Sequence, residues 1–253
     1  MPWKLVLGCA IALLAGWVAF LRHGRRVVRA REEGRTQAPV PQFDVAISLG
    51  RDCQIPYQLQ EHGYRAASFP LDWVATPIDA VCSLLENEFD GFLDRDALHL
   101  ETVPDPRGTE SRCIVNGLGV QFFHDFPTDD GFLFTYASVK RKYDRRIARF
   151  YEVMRSGSRI VFLRYPLTRE EAVTLRDLIR RKFPELVFEI VAVNPREDGD
   201  ADWQIEGVRQ VYVAPTKSWD GDSESYGAVF ESLNLLKATP MEEAVAATPD
   251  WAS

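Results

Sequence analysis

Residues 159–193 read RIVFLRYPLTREEAVTLRDLIRRKFPELVFEIVAV, and the pattern of this stretch decides the predicted fold. It starts with an unbroken apolar run that leads to Arg164 and finishes with a second one, Leu186–Val193. Between the two runs, Thr168 and Glu171 have the spacing of a capping box, which marks the start of a helix. Apolar strands without alternation, joined by a helix, are typical of parallel strands buried beneath helices. The stretch therefore predicts an α/β fold.

Further elements are expected on both sides of this stretch. The apolar and turn patterns indicate a strand-like run at Phe43–Leu49, a helix from Thr76, a hairpin over Arg112–Asp125, a helix over Ser138–Arg155 and a third buried strand at Val208–Val213. The chain is therefore predicted to fold as a single α/β domain, with a partly parallel central sheet flanked by helices and an added β-hairpin.

The N-terminus carries a different signal. Residues 5–21 are apolar and uncharged, close to the minimum length that spans a bilayer. Arginines follow at once, and the positive-inside rule places the chain after them in the cytoplasm. We therefore expect a transmembrane anchor at 1–22, a basic juxtamembrane segment and linker at 23–42 that contacts membrane lipid, and a cytoplasmic domain at 43–253. A cleaved or exporting signal is the alternative.

Composition excludes several classes of function. The 253 residues are 46% hydrophobic and 26% charged, as in ordinary globular proteins, and the net charge is −7. Because the basic residues concentrate near the N-terminus, the remainder is more acidic still, which disfavours nucleic-acid binding. The cysteines Cys9, Cys53, Cys82 and Cys113 form no CxxC pair, so neither a zinc site nor a disulfide framework is expected. No phosphate loop, GxGxxG, HExxH or GxSxG motif occurs, and no metal or cofactor is predicted.

Cys53 is the candidate nucleophile. It follows Gly50 at the end of the first strand-like run, and a short helix is expected from Cys53 to Gly63, with Pro56 in its first turn. Unpaired N–H groups and the helix dipole at such a position favour a thiolate. The alternative is that Cys53 is a small buried apolar side chain.

His124 is the candidate base for this thiol. It lies within the apolar run Val120–Phe126, where a strand end can present its ring, and a cysteine nucleophile needs a base within reach. Asp125 is adjacent, and strand alternation directs neighbouring side chains to opposite faces, so Asp125 is not expected to orient the ring. The alternative is that His124 is an ordinary core or edge residue.

Five polar or aromatic residues are candidates for substrate binding. Arg65 and Asp72 are spaced to pair across a turn, with Trp73 packed beneath them. Arg145 lies in a basic helical stretch that could meet phosphate or carboxylate groups. Arg164 ends a strand, and ligands in open α/β sheets gather beyond the carboxyl ends of strands. The alternatives are a structural turn with a salt bridge and a solvated helix face.

Five blocks of sequence occur in order along the chain: Ser48–Cys53, Arg65–Trp73, His124–Phe126, Lys142–Phe150 and Phe162–Arg164. Together they resemble a bacterial domain family of unknown function labelled putative papain-like cysteine peptidases. The resemblance covers most of the chain from Asp44 onward, with Leu71 where the family has phenylalanine. It implies Cys53 as the nucleophile, His124 as the base, and an orienting residue on a later strand, at Asn194.

Papain-type enzymes place the nucleophile on a long helix and the histidine on an antiparallel sheet. The predicted hairpin agrees with that arrangement, whereas the parallel C-terminal half does not. We therefore predict the architecture from the α/β periodicity and the site from the motifs.

Three functions are compatible with these residues. The first is a membrane-anchored cysteine peptidase, hydrolase or acyltransferase, in which Cys53 attacks an amide or acyl bond and His124 acts as base. The second is a non-catalytic anchored module in which Asp72 and the arginines named above bind an anionic metabolite or glycan. The third is a sugar or phosphate transferase that uses the same arginines. The missing phosphate loop and DxD motif count against the third.

Overall fold

The computed structural model describes residues 42–104, 110–129, 131–196 and 202–238. Within them, the larger of two sheets has four strands, which are β1 (Val45–Ser48), β5 (Ile160–Arg164), β6 (Phe188–Pro195) and β7 (Val208–Val213). They lie side by side in that order, and every pair is parallel. The parallel sheet predicted from the apolar runs is therefore present.

A smaller antiparallel sheet contains the predicted hairpin and extends it. Strands β3 (Glu110–Val115) and β4 (Gln121–Phe122) pair around a turn in which Asn116 Oδ1 accepts the Val120 N–H at 2.9 Å. Strand β2 (His99–Pro104) pairs along the other side of β3. The sequence did not predict β2, because most of its side chains are exposed and show no clear apolar alternation.

Five α-helices are formed by the described residues, together with short 3₁₀ turns at Arg95–Ala97 and Phe132–Phe134. The helix at Arg169–Lys182 begins with the predicted capping box, since Thr168 and Glu171 each accept the other's backbone N–H through a side-chain oxygen. The helices are α1 (Gln54–Glu61), α2 (Ile78–Glu86), α3 (Tyr136–Arg155), α4 (Arg169–Lys182) and α5 (Ser223–Ser232).

The two faces of the parallel sheet pack into separate apolar cores. Alternate side chains of β5 point to opposite faces, so Ile160 and Phe162 enter one core and Val161 and Leu163 enter the other. The first core is completed by residues of α2, α3, α4 and the small sheet, and the second by residues of α1 and α5. Burial on both faces explains why these strands are continuously apolar.

The prediction of a membrane protein needs correction. In the parts of the chain that the structure describes, no helix is both long and apolar enough to cross a bilayer. This finding overturns the predicted single-pass membrane localisation. The predicted anchor at 1–22 and nearly all of the predicted linker at 23–42 lie outside the described residues.

Candidate active site

The carboxyl ends of β1 and β5 lie side by side, because Ser48 pairs in register with Leu163. The chain leaves β1 through a tight turn in which Gly50 and Arg51 both have left-handed backbone, with φ of 73° and 89°. A Cβ at Gly50 would lie 2.9 Å from Thr76 Oγ1, so only glycine fits there. Arg51 is not glycine, and such a conformation costs about 1–3 kcal/mol. The turn is therefore strained, and surrounding contacts must hold it.

Arg164 supplies those contacts from the end of β5. Its Nη1 donates to the Leu49 carbonyl at 2.6 Å and its Nη2 to the Thr76 carbonyl at 2.8 Å, and the residue is only 3% exposed. Burial lowers the pKa of Arg164 to about 10, so the guanidinium stays charged at neutral pH. Both Nη groups are thus occupied in fixing the turn. The Nε of Arg164 is buried without a partner among the described residues, and contact of Arg164 with substrate stays a prediction.

Cys53 lies at the start of α1 and is partly exposed. Its backbone is helical, and its carbonyl accepts the Tyr57 N–H at 3.1 Å, so the helix geometry extends to the cysteine. The Gln54 N–H is taken by Asp52 Oδ1 at 3.0 Å, and position 56 is proline. Among the described residues, the Ile55 N–H has no acceptor. The first turn of α1 therefore offers one free amide beside the thiol.

The electrostatic environment of Cys53 differs from the one expected at a helix start. Burial, and then the charges of Asp52, Asp125 and Asp72, raise the pKa of Cys53 to about 12. The helix dipole acts in the opposite direction, but its effect on a side chain is typically below about 1 kcal/mol. Desolvation and three carboxylates outweigh it. The structure therefore holds Cys53 as a neutral thiol at neutral pH, which corrects the expectation of a thiolate.

Asp72 has the partners that the sequence predicted. Its carboxylate pairs with Arg65 at 3.1 Å and accepts the Phe69 N–H at 2.8 Å, and its side chain is 3% exposed. The Arg65 guanidinium stacks over the Trp73 ring, 5.1 Å from its centre. Burial raises the pKa of Asp72, and Arg65 opposes that rise. The predicted pairing of Arg65 with Asp72 beside Trp73 is confirmed, and it braces the chain close to Cys53.

Asp125 pairs with two residues of α3. It accepts hydrogen bonds from the Lys142 ammonium and from the Tyr143 hydroxyl, the latter at 2.5 Å. Its side chain is 4% exposed, whereas the neighbouring His124 is exposed. The two side chains therefore differ in environment, as strand alternation predicts. Asp125 binds two residues of α3 rather than the His124 ring.

Asp52 is the remaining carboxylate near the thiol, and it makes no ion pair within the described residues. Burial raises the pKa of Asp52 to about 6, although the Gln54 N–H and the charges of Arg51 and Arg164 oppose the rise. A carboxyl group with this pKa changes charge close to neutral pH. Its state of protonation therefore alters the field at Cys53.

His124 follows the two-residue strand β4 and is exposed to solvent. Its ring makes no hydrogen bond in the described part of the chain, so it is free to contact a substrate or the thiol. Pairing of Cys53 with His124 stays a prediction. Asn194, predicted as the orienting residue, uses both amide atoms on the backbone of Leu167, at 3.0 Å each. A role for Asn194 in orienting the histidine also stays a prediction.

Two neighbouring arginines of α3 differ in their surroundings, and the role of Arg145 in substrate binding stays a prediction. Arg145 is exposed and donates to the Arg141 carbonyl of its own helix. Arg146 instead stacks on the Tyr143 ring at 5.1 Å, and its buried Nη1 has no partner among the described residues. Its position three residues after Tyr143 could have indicated this, since residues three apart share a helix face.

The described residues contain no group of three or more His, Cys, Asp or Glu side chains placed to hold a metal ion. The site consists of the partly exposed Cys53 thiol, one free backbone amide and three carboxylates, two of which are paired with cations. Such a set contains the parts needed for acyl transfer by a thiol, namely a nucleophile, an amide donor and titratable groups.

Comparison with known proteins points in the same direction. The family described as "Putative papain-like cysteine peptidase" matches residues 44–198. An uncharacterized protein of Acanthamoeba polyphaga mimivirus, R408, is 37% identical over 153 residues, which cover 53% of this chain and 69% of the viral protein. The viral relative does not support the bacterial origin that the sequence resemblance implied. No solved structure matches the chain. Because the family match spans more than half of the chain, the protein belongs to this family, the one described as "Putative papain-like cysteine peptidase".

Proposed function

We propose that the protein is a cysteine peptidase, or a related hydrolase, in which Cys53 attacks an amide or acyl carbonyl. The family supports peptidase chemistry. The observation that carries the assignment to Cys53 is its position at the start of α1, partly exposed and two residues before the free Ile55 N–H. A buried cysteine that only fills space needs neither exposure nor a neighbouring amide donor.

The proposed reaction uses groups of the chain alone. The Cys53 sulfur forms a bond to the carbonyl carbon while its proton passes to His124. The Ile55 N–H donates to the oxygen on which negative charge develops. Collapse then breaks the bond to the leaving group, which takes the proton from His124, and water hydrolyses the thioester to restore the thiol.

The raised pKa of Cys53 determines when the proton moves. A standing thiolate would lie beside Asp52, Asp72 and Asp125, and burial would leave it poorly solvated. The base therefore has to remove the proton as the sulfur attacks, as serine enzymes do, rather than beforehand. Transfer in the transition state is general-base catalysis, which contributes about 10²–10⁴-fold to the rate.

One observation favours a second function, binding without catalysis. Arg146 Nη1 is buried without a partner among the described residues, beside Tyr143 and close to Asp72. A guanidinium placed in this way suits a carboxylate or phosphate ligand. In that case the protein binds an anionic metabolite or glycan and Cys53 only packs.

Acyl transfer from p-nitrophenyl acetate to the full-length protein tests the proposed function. We expect release of p-nitrophenol in a burst, together with an acetyl group on the peptide that contains Cys53, detected by mass spectrometry. The Cys53→Ser variant should lose the burst, and Cys82→Ser, which changes another partly exposed thiol, should keep it. Absence of acetyl-Cys53 at every pH would overturn the proposal and favour the binding function.

The pH dependence of Cys53 alkylation by iodoacetamide tests the state of the thiol. Because the pKa is about 12, the rate should rise about tenfold for each pH unit between pH 7 and pH 9. Asp52→Asn removes the largest of the three charges acting on the thiol and should raise the rate at pH 8 by about tenfold. Asp177→Asn, which removes an exposed carboxylate on α4, should not change it. A rate that is flat with pH would indicate a standing thiolate and contradict this prediction.

A further inference from the structure

Tyr57, on the helix that carries Cys53, packs against Trp219, an exposed residue of the loop between β7 and α5. The Trp219 ring is 51% exposed and meets the Tyr57 ring edge to face, with ring centres 4.9 Å apart. Large exposed aromatic side chains are often binding residues, because a flat apolar surface in water can be covered by a ligand.

Tyr57 lies one helical turn after Cys53, on the same face of α1. Because the backbone of Cys53 is already helical and its carbonyl accepts the Tyr57 N–H, the spacing of neighbours four apart applies, with about 5–6 Å between Cβ atoms. Side chains on a helix lean toward its N-terminus, so we expect the Tyr57 ring to extend toward the thiol. The aromatic pair therefore borders the place where a substrate carbonyl meets Cys53.

The loop that carries Trp219 is fixed to α1. Gln58 Nε2 donates to the Asp220 carbonyl at 2.6 Å, and Gln54 donates to the Trp219 carbonyl at 3.5 Å. Gly221 makes this approach possible, since a Cβ there would lie 2.8 Å from Gln54. The loop follows β7, the strand furthest from β1 in the sheet, and nevertheless reaches the helix of the nucleophile. Its contacts hold the tryptophan in one position without burying it.

We propose that Tyr57 and Trp219 form the subsite for an uncharged apolar or aromatic group next to the carbonyl that Cys53 attacks. The inference rests on the proposed function and adds its substrate class. The carboxylates around the thiol argue for the same class, because Asp52, Asp72 and Asp125 repel an anionic group at this position. An aromatic surface on one side and negative charge on the other thus select neutral, apolar acyl groups.

Two alkylating reagents of different size test the subsite in the full-length protein. Rates of Cys53 alkylation by N-benzyl iodoacetamide and by iodoacetamide are measured by mass spectrometry, each relative to its rate with glutathione. We expect the benzyl reagent to be favoured by about tenfold, the usual effect of filling an apolar pocket. Trp219→Ala should remove most of this preference, and Trp219→Phe should keep most of it.

Val187→Ala is the matched control, since it removes another large apolar side chain that is 51% exposed, immediately before the start of β6. It should leave the preference unchanged. Equal relative rates of the two reagents, unaffected by Trp219→Ala, would overturn the subsite while leaving Cys53 as the nucleophile. Failure of both reagents to label Cys53 would instead overturn the proposed function, and the subsite with it.

Discussion

Replacing Arg164 with methionine should lower the free energy of unfolding by roughly 2–5 kcal/mol. Methionine fills a similar space but donates no hydrogen bond, so the carbonyls of Leu49 and Thr76 would both lose their charged donor inside the protein. A hydrogen bond to a charged group contributes about 1.5–3 kcal/mol, and a buried carbonyl left unpaired costs about 1–3 kcal/mol. The strain at Arg51 adds to the effect, because the turn would no longer be held from β5.

Urea unfolding of the full-length protein, followed by circular dichroism, measures this difference. Arg145→Met is the control, since it removes an exposed arginine and should change stability by no more than about 0.5 kcal/mol. Arg164→Lys keeps the charge, but a single ammonium group does not reproduce the two-pronged contact with both carbonyls, so an intermediate loss is expected. Equal midpoints for the Met variants at positions 145 and 164 would show that the turn does not depend on Arg164.

The parallel sheet could be predicted because burial on both faces leaves a continuous apolar run in the sequence. The strand ending at Arg164, the capping box at Thr168 and the strand Val208–Val213 all follow from local patterns. Helix α5 (Ser223–Ser232) was missed, since it is short, contains a glycine and has only a weak apolar face. Its start is marked by Asp222, whose carboxylate accepts the Ser225 N–H, and this signal could have been found.

Site residues were predictable where their partners are close in sequence. Arg65 and Asp72 are seven residues apart, and their salt bridge follows from the turn between them. The acceptors of Arg164 include Leu49, which is 115 residues away. The sequence therefore indicated a functional residue at that strand end, but not that Arg164 holds the turn after β1. The sign of the pKa shift at Cys53 was unpredictable for the same reason, because the fold buries the thiol and also brings Asp125 and Asp72 close to it.

These long-range contacts also explain why the sequence predicts a thiolate at Cys53, whereas the structure holds a neutral thiol. A thiolate at a helix start is a local inference, and it holds only when the surroundings are polar or positively charged. Here the fold brings three carboxylates to the thiol, and two of them are already paired with cations, Asp72 with Arg65 and Asp125 with Lys142. Asp52 alone of the three lacks a cation partner in the described part of the chain. Catalysis then depends on a base that acts during the attack.

His124→Ala should slow the acylation of Cys53 by p-nitrophenyl acetate by about 10²–10⁴-fold. The effect is large because the thiol keeps its proton at neutral pH and cannot react quickly until a base removes it. The measurement is the initial rate of p-nitrophenol release by the full-length protein at neutral pH. His99→Ala is the matched control, since its side chain is 58% exposed on β2, and it should leave the rate within about twofold.

An unchanged rate in His124→Ala would show that another group takes the proton, and Asp52 is then the candidate. Two measurements separate these bases. If Asp52 were the base, Asp52→Asn would slow acylation, and the rate of the parent protein would fall as the pH drops through about 6, where Asp52 gains a proton. If His124 is the base, Asp52→Asn instead makes the thiol easier to deprotonate, because it removes a negative charge beside the sulfur. The same substitution therefore changes the rate in opposite directions under the two mechanisms.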